Sequence, residues 1–260
     1  MCLAVVALDS HPRFALVVAA NRDEFHTRAA VPARWGDAPS FAGILAGRDL
    51  TAGGTWLGTR RDGRWALLTN VRDRRHHHDS EAPSRGELVP AILNHEAAPG
   101  AALASLMRNA QPYNGFNLLA GDATSATWAS NRASGEQALA TGVHGLSNAL
   151  LDTPWPKLTR TRDAITAWAA RGEDVLAPVF AALADRTLAP DEALPATGVP
   201  LEWERLLSAP FIVSEGYGTR CSTVLVIARN GEARFVERSF DGLGNATGEV
   251  EFEYVVSRGT

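Results

Sequence analysis

Sulfur is scarce in this 260-residue chain, which has two cysteines, Cys2 and Cys221, and two methionines. Two cysteines cannot frame a disulfide scaffold, so a reducing, cytoplasmic setting is expected. Long hydrophobic runs are missing too. No stretch of about 18 apolar residues occurs, and no membrane span is expected. "MCLAVVAL" has no basic segment ahead of it and "DSHPR" soon interrupts it, so no signal peptide is expected. Nor does a long apolar stretch precede Cys2, as it would in a lipoprotein. There is no excess of positive charge. The net charge of −4 gives no electrostatic reason to expect nucleic acid or an acidic membrane as partner.

Several motifs are also absent. "AGGTW" lacks Walker or dinucleotide spacing, and Gly53 and Gly54 suit a tight turn or a close backbone approach instead. No Cys-x-x-Cys-His occurs, so covalent haem attachment is not expected. In "RRHHHD" at 74–79, three consecutive histidines cannot all face one ion, and no carboxylate or thiol set joins them at ligand spacing. The run reads as a polar loop tip, not a metal site. With no internal repeat or low-complexity linker, a single domain over 1–260 is expected.

What is present is patterned. "LAVVAL" and "FALVVAA" flank "DSHPR" as a hairpin. "TWLGTRRDGRWALLTN" repeats the pattern around Asp62-Gly63, and "FNLLAGDATSATWAS" and "STVLVIARNGEARFVERSF" read likewise. "GEVEFEYVV" is a last strand. Helices fill the middle. "SRGELVPAILNHE" opens with a Ser84-x-x-Glu87 capping box. "PGAALASLMRNA" starts at Pro99. "WPKLTRTRDAITAWAARG" puts Leu158, Ile165 and Trp168 on one face and stops at Gly172. "EDVLAPVFAALAD" continues the helical block, and the Pro-rich "ADRTLAPDEALPATGVPLEW" reads as a long surface loop. Strands, then helices, then strands imply an α+β fold with largely antiparallel sheets.

Cys2 stands out chemically. Removal of Met1, favoured by a small second residue, would join a thiol and a free α-amine on one carbon. The amine, with a pKa of about 7.7–8, can serve as base, and the thiol, near 8.5, as nucleophile. The bland alternative is a small buried residue. "NRDEF", Asn21 to Phe25, ends the second strand of the hairpin and therefore lies near residue 2. A carboxylate there can hold the α-ammonium, or it can simply belong to a solvated loop.

"NRDEF" behind "MC" resembles the signature of the NRDE, or transport-and-Golgi-organisation, family. So do "AGRDLTAGGTWLG", "LLTNVRD", "SRGELV", "YNGFNLLAG", "GLSNALLDTPWPKL" and "YGTRCSTVLVI", in order along the chain. That family is similar to N-terminal nucleophile hydrolases of the penicillin acylase and bile-salt hydrolase type. The resemblance implies a four-layer αββα sandwich. Position by position, it implies Cys2 as nucleophile, Asp23 and Asn21 at the strand end, Asn70 and Asn148 as oxyanion donors, and Arg220 as the late arginine. The hydrolases' own arginine falls on Ala20. Arg22 is a candidate replacement, although adjacent strand residues point to opposite faces, and this departure counts against hydrolysis. Trp56 and Trp155 are candidate pocket walls, and Arg85 is either structural or a rim contact for an anionic ligand. Cys221 is expected to be inert. Two functions compete: a hydrolase or acyl transferase acting on a linear amide or thioester, with no cofactor required, and a binding protein of the same fold. Proposals for the family point to haem trafficking and to acyl-CoA or lipid metabolism. For haem, sequence does not choose among His11, His26 and His144 as axial ligands.

Overall fold

A computed structural model describes residues 2–72 and 78–257, with Cys2 described by its main chain. One antiparallel sheet has six strands: β1 (Cys2–Leu8), β2 (Phe14–Phe25), β10 (Gly142–Leu146), β11 (Tyr217–Ala228), β12 (Glu232–Phe240) and β13 (Ala246–Val255), in the order β10-β1-β2-β11-β12-β13. The other has seven: β3 (Ala30–Trp35), β4 (Ile44–Asp49), β5 (Leu57–Arg60), β6 (Trp65–Asn70), β7 (Phe116–Gly121), β8 (Ala126–Ser130) and β9 (Glu136–Ala138), paired in chain order. The helices are α1 (Leu88–Leu93), α2 (Pro99–Met107), α3 (Pro156–Arg171), α4 (Ala177–Leu183) and α5 (Leu201–Leu206).

Alternation along β1 and β2 builds the layers. Ala4, Val6, Leu8, Leu16 and Val18 meet Leu57, Trp65, Leu67 and Leu119 of the facing sheet. The intervening Leu3, Val5, Ala7, Val17 and Ala19 pack under Leu158, Ile165, Trp168 and Phe180 of α3 and α4. On the far side, Ile44, Ala66 and Leu118 pack under Leu88, Ile92 and Leu103 of α1 and α2. The order is helix, sheet, sheet, helix. Because both faces of β1 and β2 are buried, they read as apolar runs rather than alternating ones. Each buried Leu or Val contributes about 1.5–3 kcal/mol. Among the described residues no helix is long and apolar enough to cross a membrane.

All four hairpins form in the places the sequence indicates. Gly63 and Gly231 take φ +86° and +90° at two of the turns. Helix α3 ends at Gly172 with φ +69°. Other elements depart from expectation. The capping box is half made: Ser84 Oγ accepts from the Gly86 N–H at 3.3 Å, but Glu87 instead accepts from the Tyr113 hydroxyl. The Pro-rich stretch is not all loop, since α5 starts at Leu201. Strands β3, β4, β9 and β10 lie outside the elements the sequence indicates. β3 contains Pro32 and lies at a sheet edge, where a missing N–H is tolerated. Of the 74–79 run, only His78 and Asp79 fall within the described residues.

Candidate active site

The site is built at the open end of the β1–β2 hairpin. Cys2 pairs with Arg22 and Leu3 with Asn21, so the next rung of the ladder falls at Asp23. Asn21 and Asp23 continue the series of β2 that faces the helices, while Ala20 and Arg22 continue the series facing the other sheet. Asn21 is fully engaged by the scaffold. Its amide donates to the carbonyls of Leu183 and Pro210 at 2.8 and 2.9 Å, and its oxygen accepts from Ser222 at 2.6 Å. The strand-end role implied for Asn21 is therefore corrected: it ties β2 to α4 and β11 and does not line the cleft described below. Asp23 is buried and accepts from Thr219 Oγ1 at 2.7 Å. Burial pushes its pKa up from the ordinary value, and the Lys157 ammonium opposes that rise.

The expectation for Arg22 needs a similar correction. Ala20 and Arg22 are two residues apart and share a face, so alternation carries the Arg22 guanidinium toward the other sheet. There it lies 4.5 Å from the ring of Trp56 and donates to Asp49 at 2.8 Å. Arg28 donates to the same carboxylate at 2.6 Å, and the N–H groups of Thr51 and Ala52 donate at 3.0 and 2.9 Å. Burial alone would raise the Asp49 pKa, but these donors hold it below the ordinary value. Arg22 is 5% exposed and its Nη1 has no hydrogen-bond partner among the described residues.

A cleft of about 330 Å³ opens here, lined by Arg22, Asp23, Trp56, Asn70, Arg85 and, unanticipated, His78. Two glycine loops form its rim. Thr55 N–H donates to Gly86 O at 3.0 Å, and the backbones touch so closely that a Cβ on Gly54 would lie 2.4 Å from the carbonyl carbon of Gly86. Arg85 donates to Gly115 O at 3.0 Å from the cleft wall.

Asn148 stands behind the cleft, fully buried, and donates to the Asn70 carbonyl at 2.9 Å. Its own carbonyl accepts from Arg72 N–H at 2.7 Å. Asn148 thus clamps the strand end that presents Asn70. Trp155 is not among the cleft-lining residues; it covers the guanidinium of Arg72 at 4.6 Å, and Arg72 in turn pairs with buried Glu204 at 3.0 Å. Arg220 sits in a bulge of β11 and donates to His26 O at 3.0 Å, outside the set lining the cleft. In these positions Trp155 and Arg220 buttress the region without bordering the cleft.

The loop carrying Asn148 is held by His144 and Asp152. His144 Nδ1 lies 2.9 Å from Asp152 Oδ2 and Nε2 lies 2.9 Å from Ala140 O. Both partners only accept, so the imidazolium makes both bonds. The Asp152 bond raises the His144 pKa above 6.5. Burial would raise Asp152, but His144 and the Gly145 N–H hold it below 3.8. The His144 contribution to stability is complete below 6.5 and is lost as pH rises through the raised folded value. The Asp152 contribution is present above 3.8 and is lost as pH falls through the lowered one. Thermal melts should therefore show a fall in stability from pH 6 toward pH 9 that His144→Asn flattens. An unchanged slope in that variant would remove the latch from the account.

Residues 1–242 match the family model described as "Transport and Golgi organisation 2". The chain belongs to that family. A Bos taurus relative, "Transport and Golgi organization protein 2 homolog", is 35% identical, with 93% of this chain and 94% of the relative covered. The Homo sapiens relative of the same description is 34% identical, with 92% and 93% covered. Among solved structures, the Caenorhabditis elegans N-acylethanolamine-hydrolyzing acid amidase ortholog superposes with a TM-score of 0.54 at 10% identity, covering 86% of this chain and 92% of that one. This Transport and Golgi organisation 2 family chain has the fold of the N-terminal nucleophile hydrolases.

Three residues at the site were not singled out by the sequence reading. Lys157, in the first turn of α3, is 1% exposed. Thr219 holds Asp23. Glu237 is buried between the sheets, accepting from Ala33 N–H at 2.7 Å, Thr223 Oγ1 at 3.0 Å and the Cys221 thiol. The histidines raised for haem are occupied. His11 bonds Glu173 O and the Arg13 N–H, His26 bonds Ser214 O and Arg220, and both nitrogens of His144 are used.

Proposed function

We propose that the chain is a cysteine N-terminal nucleophile hydrolase or acyl transferase acting on a linear amide or thioester. The observation that carries this reading is the placement of Asp23. It is a buried carboxylate on the rung beyond Cys2, beside a cleft lined by Arg22 and Asn70. In a chain that has lost Met1, Asp23 would hold the α-amine of Cys2. The thiol proton would pass to that amine as sulfur bonds to the carbonyl carbon, and the carbonyl π electrons would move onto oxygen. Asn70 would donate to the oxyanion, with Asn148 fixing Asn70 from behind and Arg22 supplying positive charge. Collapse would expel the amine or thiol, which takes the proton from the α-ammonium. Water or an acceptor would then cleave the Cys2 acyl-thioester.

Ala20 at the hydrolases' arginine position and Arg220 bonded to His26 support the second reading, a carrier of a haem, acyl-CoA or lipid ligand. Thiol labelling with a small electrophile, followed by peptide mass mapping, tests the first. Intact mass reports removal of Met1. In the processed protein Cys2 should react at least about tenfold faster than Cys221 at pH 7. Equal rates in the folded protein would count against an activated Cys2.

A further inference from the structure

Lysine is a poor choice where residue 157 sits. It is fully buried, and it lies in the first helical turn, where the macrodipole disfavours a cation. It also occupies the core-facing stripe of α3, which runs Lys157, Thr161, Ile165, Trp168. The direction of α3 explains what the ammonium meets. At its C-terminal end Trp168 stacks on His11 at 4.8 Å, and a Cβ on Gly172 would lie 2.9 Å from Pro12, so that end rests on the β1–β2 turn. From Trp168 back to Lys157 the helix climbs about 16 Å. From Leu8 back to Cys2, β1 runs about 20 Å in the same sense. Near the start of α3, Leu158 presses on Gly145, which pairs with Val5. The first turn of α3 therefore sits toward the open end of the hairpin. Asp23 faces the helices there.

A buried ion pair is a weak device for stability, because desolvation offsets most of the attraction. Its value lies in holding a charge where a carboxyl would otherwise stay neutral. Among side chains, the charges that act on Asp23 are those of Lys157 from α3 and Glu24 from its own strand; Thr219 of β11 adds a hydrogen bond. Glu24 disfavours the carboxylate, so Lys157 is the side chain whose charge favours it.

We propose that Lys157 is a positioning residue of the site, the fixed counter-ion of Asp23, and that through Asp23 it sets the orientation and basicity of the Cys2 α-amine. This rests on the N-terminal nucleophile reading. With Lys157 in place, Asp23 stays charged and holds the amine. The ammonium of Lys157 also repels a proton on that amine and favours a neighbouring thiolate, so the nucleophile–base pair is ready at neutral pH. Replacing Lys157 ends the repulsion and raises both midpoints; a neutral Asp23 would act the other way, but the α-ammonium of the processed chain stays beside it as a counter-ion.

The test uses the processed chain, with the rate of Cys2 alkylation by iodoacetamide and of α-amine acetylation followed from pH 5 to 10. Lys157→Met should move both midpoints up by about one unit, a roughly tenfold loss of Cys2 labelling at pH 7. Lys157→Arg should restore the wild-type midpoints, a recovery that a purely structural role would not give. Should Lys157→Met fail to fold, Lys157→Gln, which keeps a polar end at the same place without the charge, should show the same raised midpoints. Folded variants with wild-type midpoints would overturn the proposal. If wild-type Cys2 labels no faster than Cys221, the nucleophile reading itself fails, and the assignment of Lys157 fails with it. If wild-type Cys2 is activated and the Lys157 variants are too, only the assignment of Lys157 fails.

Discussion

Replacing Cys2 by alanine should lower turnover of a responsive amide or thioester by about a thousandfold or more, with ligand affinity changed by less than about twofold. The asymmetry follows from where the sulfur acts. In the proposed reaction its bond to the carbonyl carbon exists only on the reaction path, so removing it spares ground-state binding. The groups that line the cleft, Arg22, Trp56, Asn70 and Arg85, are untouched. Cys2→Ser keeps nearly the same shape with a far weaker nucleophile, and should fall close to alanine in turnover. Rates and affinities measured on one labelled ligand, beside a complementation assay, separate the two functional readings. Full biological function in both variants would leave a carrier, in which Arg22→Ala or Trp56→Ala weakens binding instead.

The second large effect is expected on stability. Gly54→Ala should lower the unfolding free energy by about 3 kcal/mol in urea melts. The added Cβ would meet three backbone atoms of Gly86 at 2.4 to 2.6 Å. Backbone cannot rotate aside as a side chain can, so the two rim loops must separate and the Thr55 to Gly86 hydrogen bond is lost. Gly53→Ala supplies the contrast. Gly53 has φ +73° but open space around it, so alanine there meets only the conformational cost of about 1 kcal/mol. Equal losses in the two variants would show that backbone conformation, not the crossing of the loops, governs the rim.

The β1–β2 hairpin was legible because burial on both faces leaves uninterrupted apolar runs, and the antiparallel rule then places 21–23 beside residue 2. The αββα stacking was not legible in patterning alone; it came from the family resemblance. Within the site, local spacing misled in specific ways. Arg22 differs in face from its immediate neighbours but shares one with Ala20, two residues back. Asn21 stands in a polar strand end, and nothing in its local sequence reveals that α4 and the segment ending at Pro210 close over it. Arg220 fits the motif, but the bulge that redirects it arises from a register shift between β2 and β11. Lys157 did carry a signal. It continues the stripe of Thr161, Ile165 and Trp168, and a charged residue in a core stripe calls for a buried partner.

The ladder that sets Cys2 opposite Arg22 sets Arg22 opposite Cys221. The chain's two sulfhydryls are thus separated by a whole strand, about 10 Å between Cα atoms. A disulfide needs about 7 Å or less. Cys221 is the only other cysteine in the sequence, so a Cys2 oxidised to the sulfenic acid has no resolving partner of its own. Its rescue depends on a thiol from outside the chain, and without one the next oxidation step is irreversible. The rigid sheet that organises this end of the molecule also denies it a means of redox self-repair.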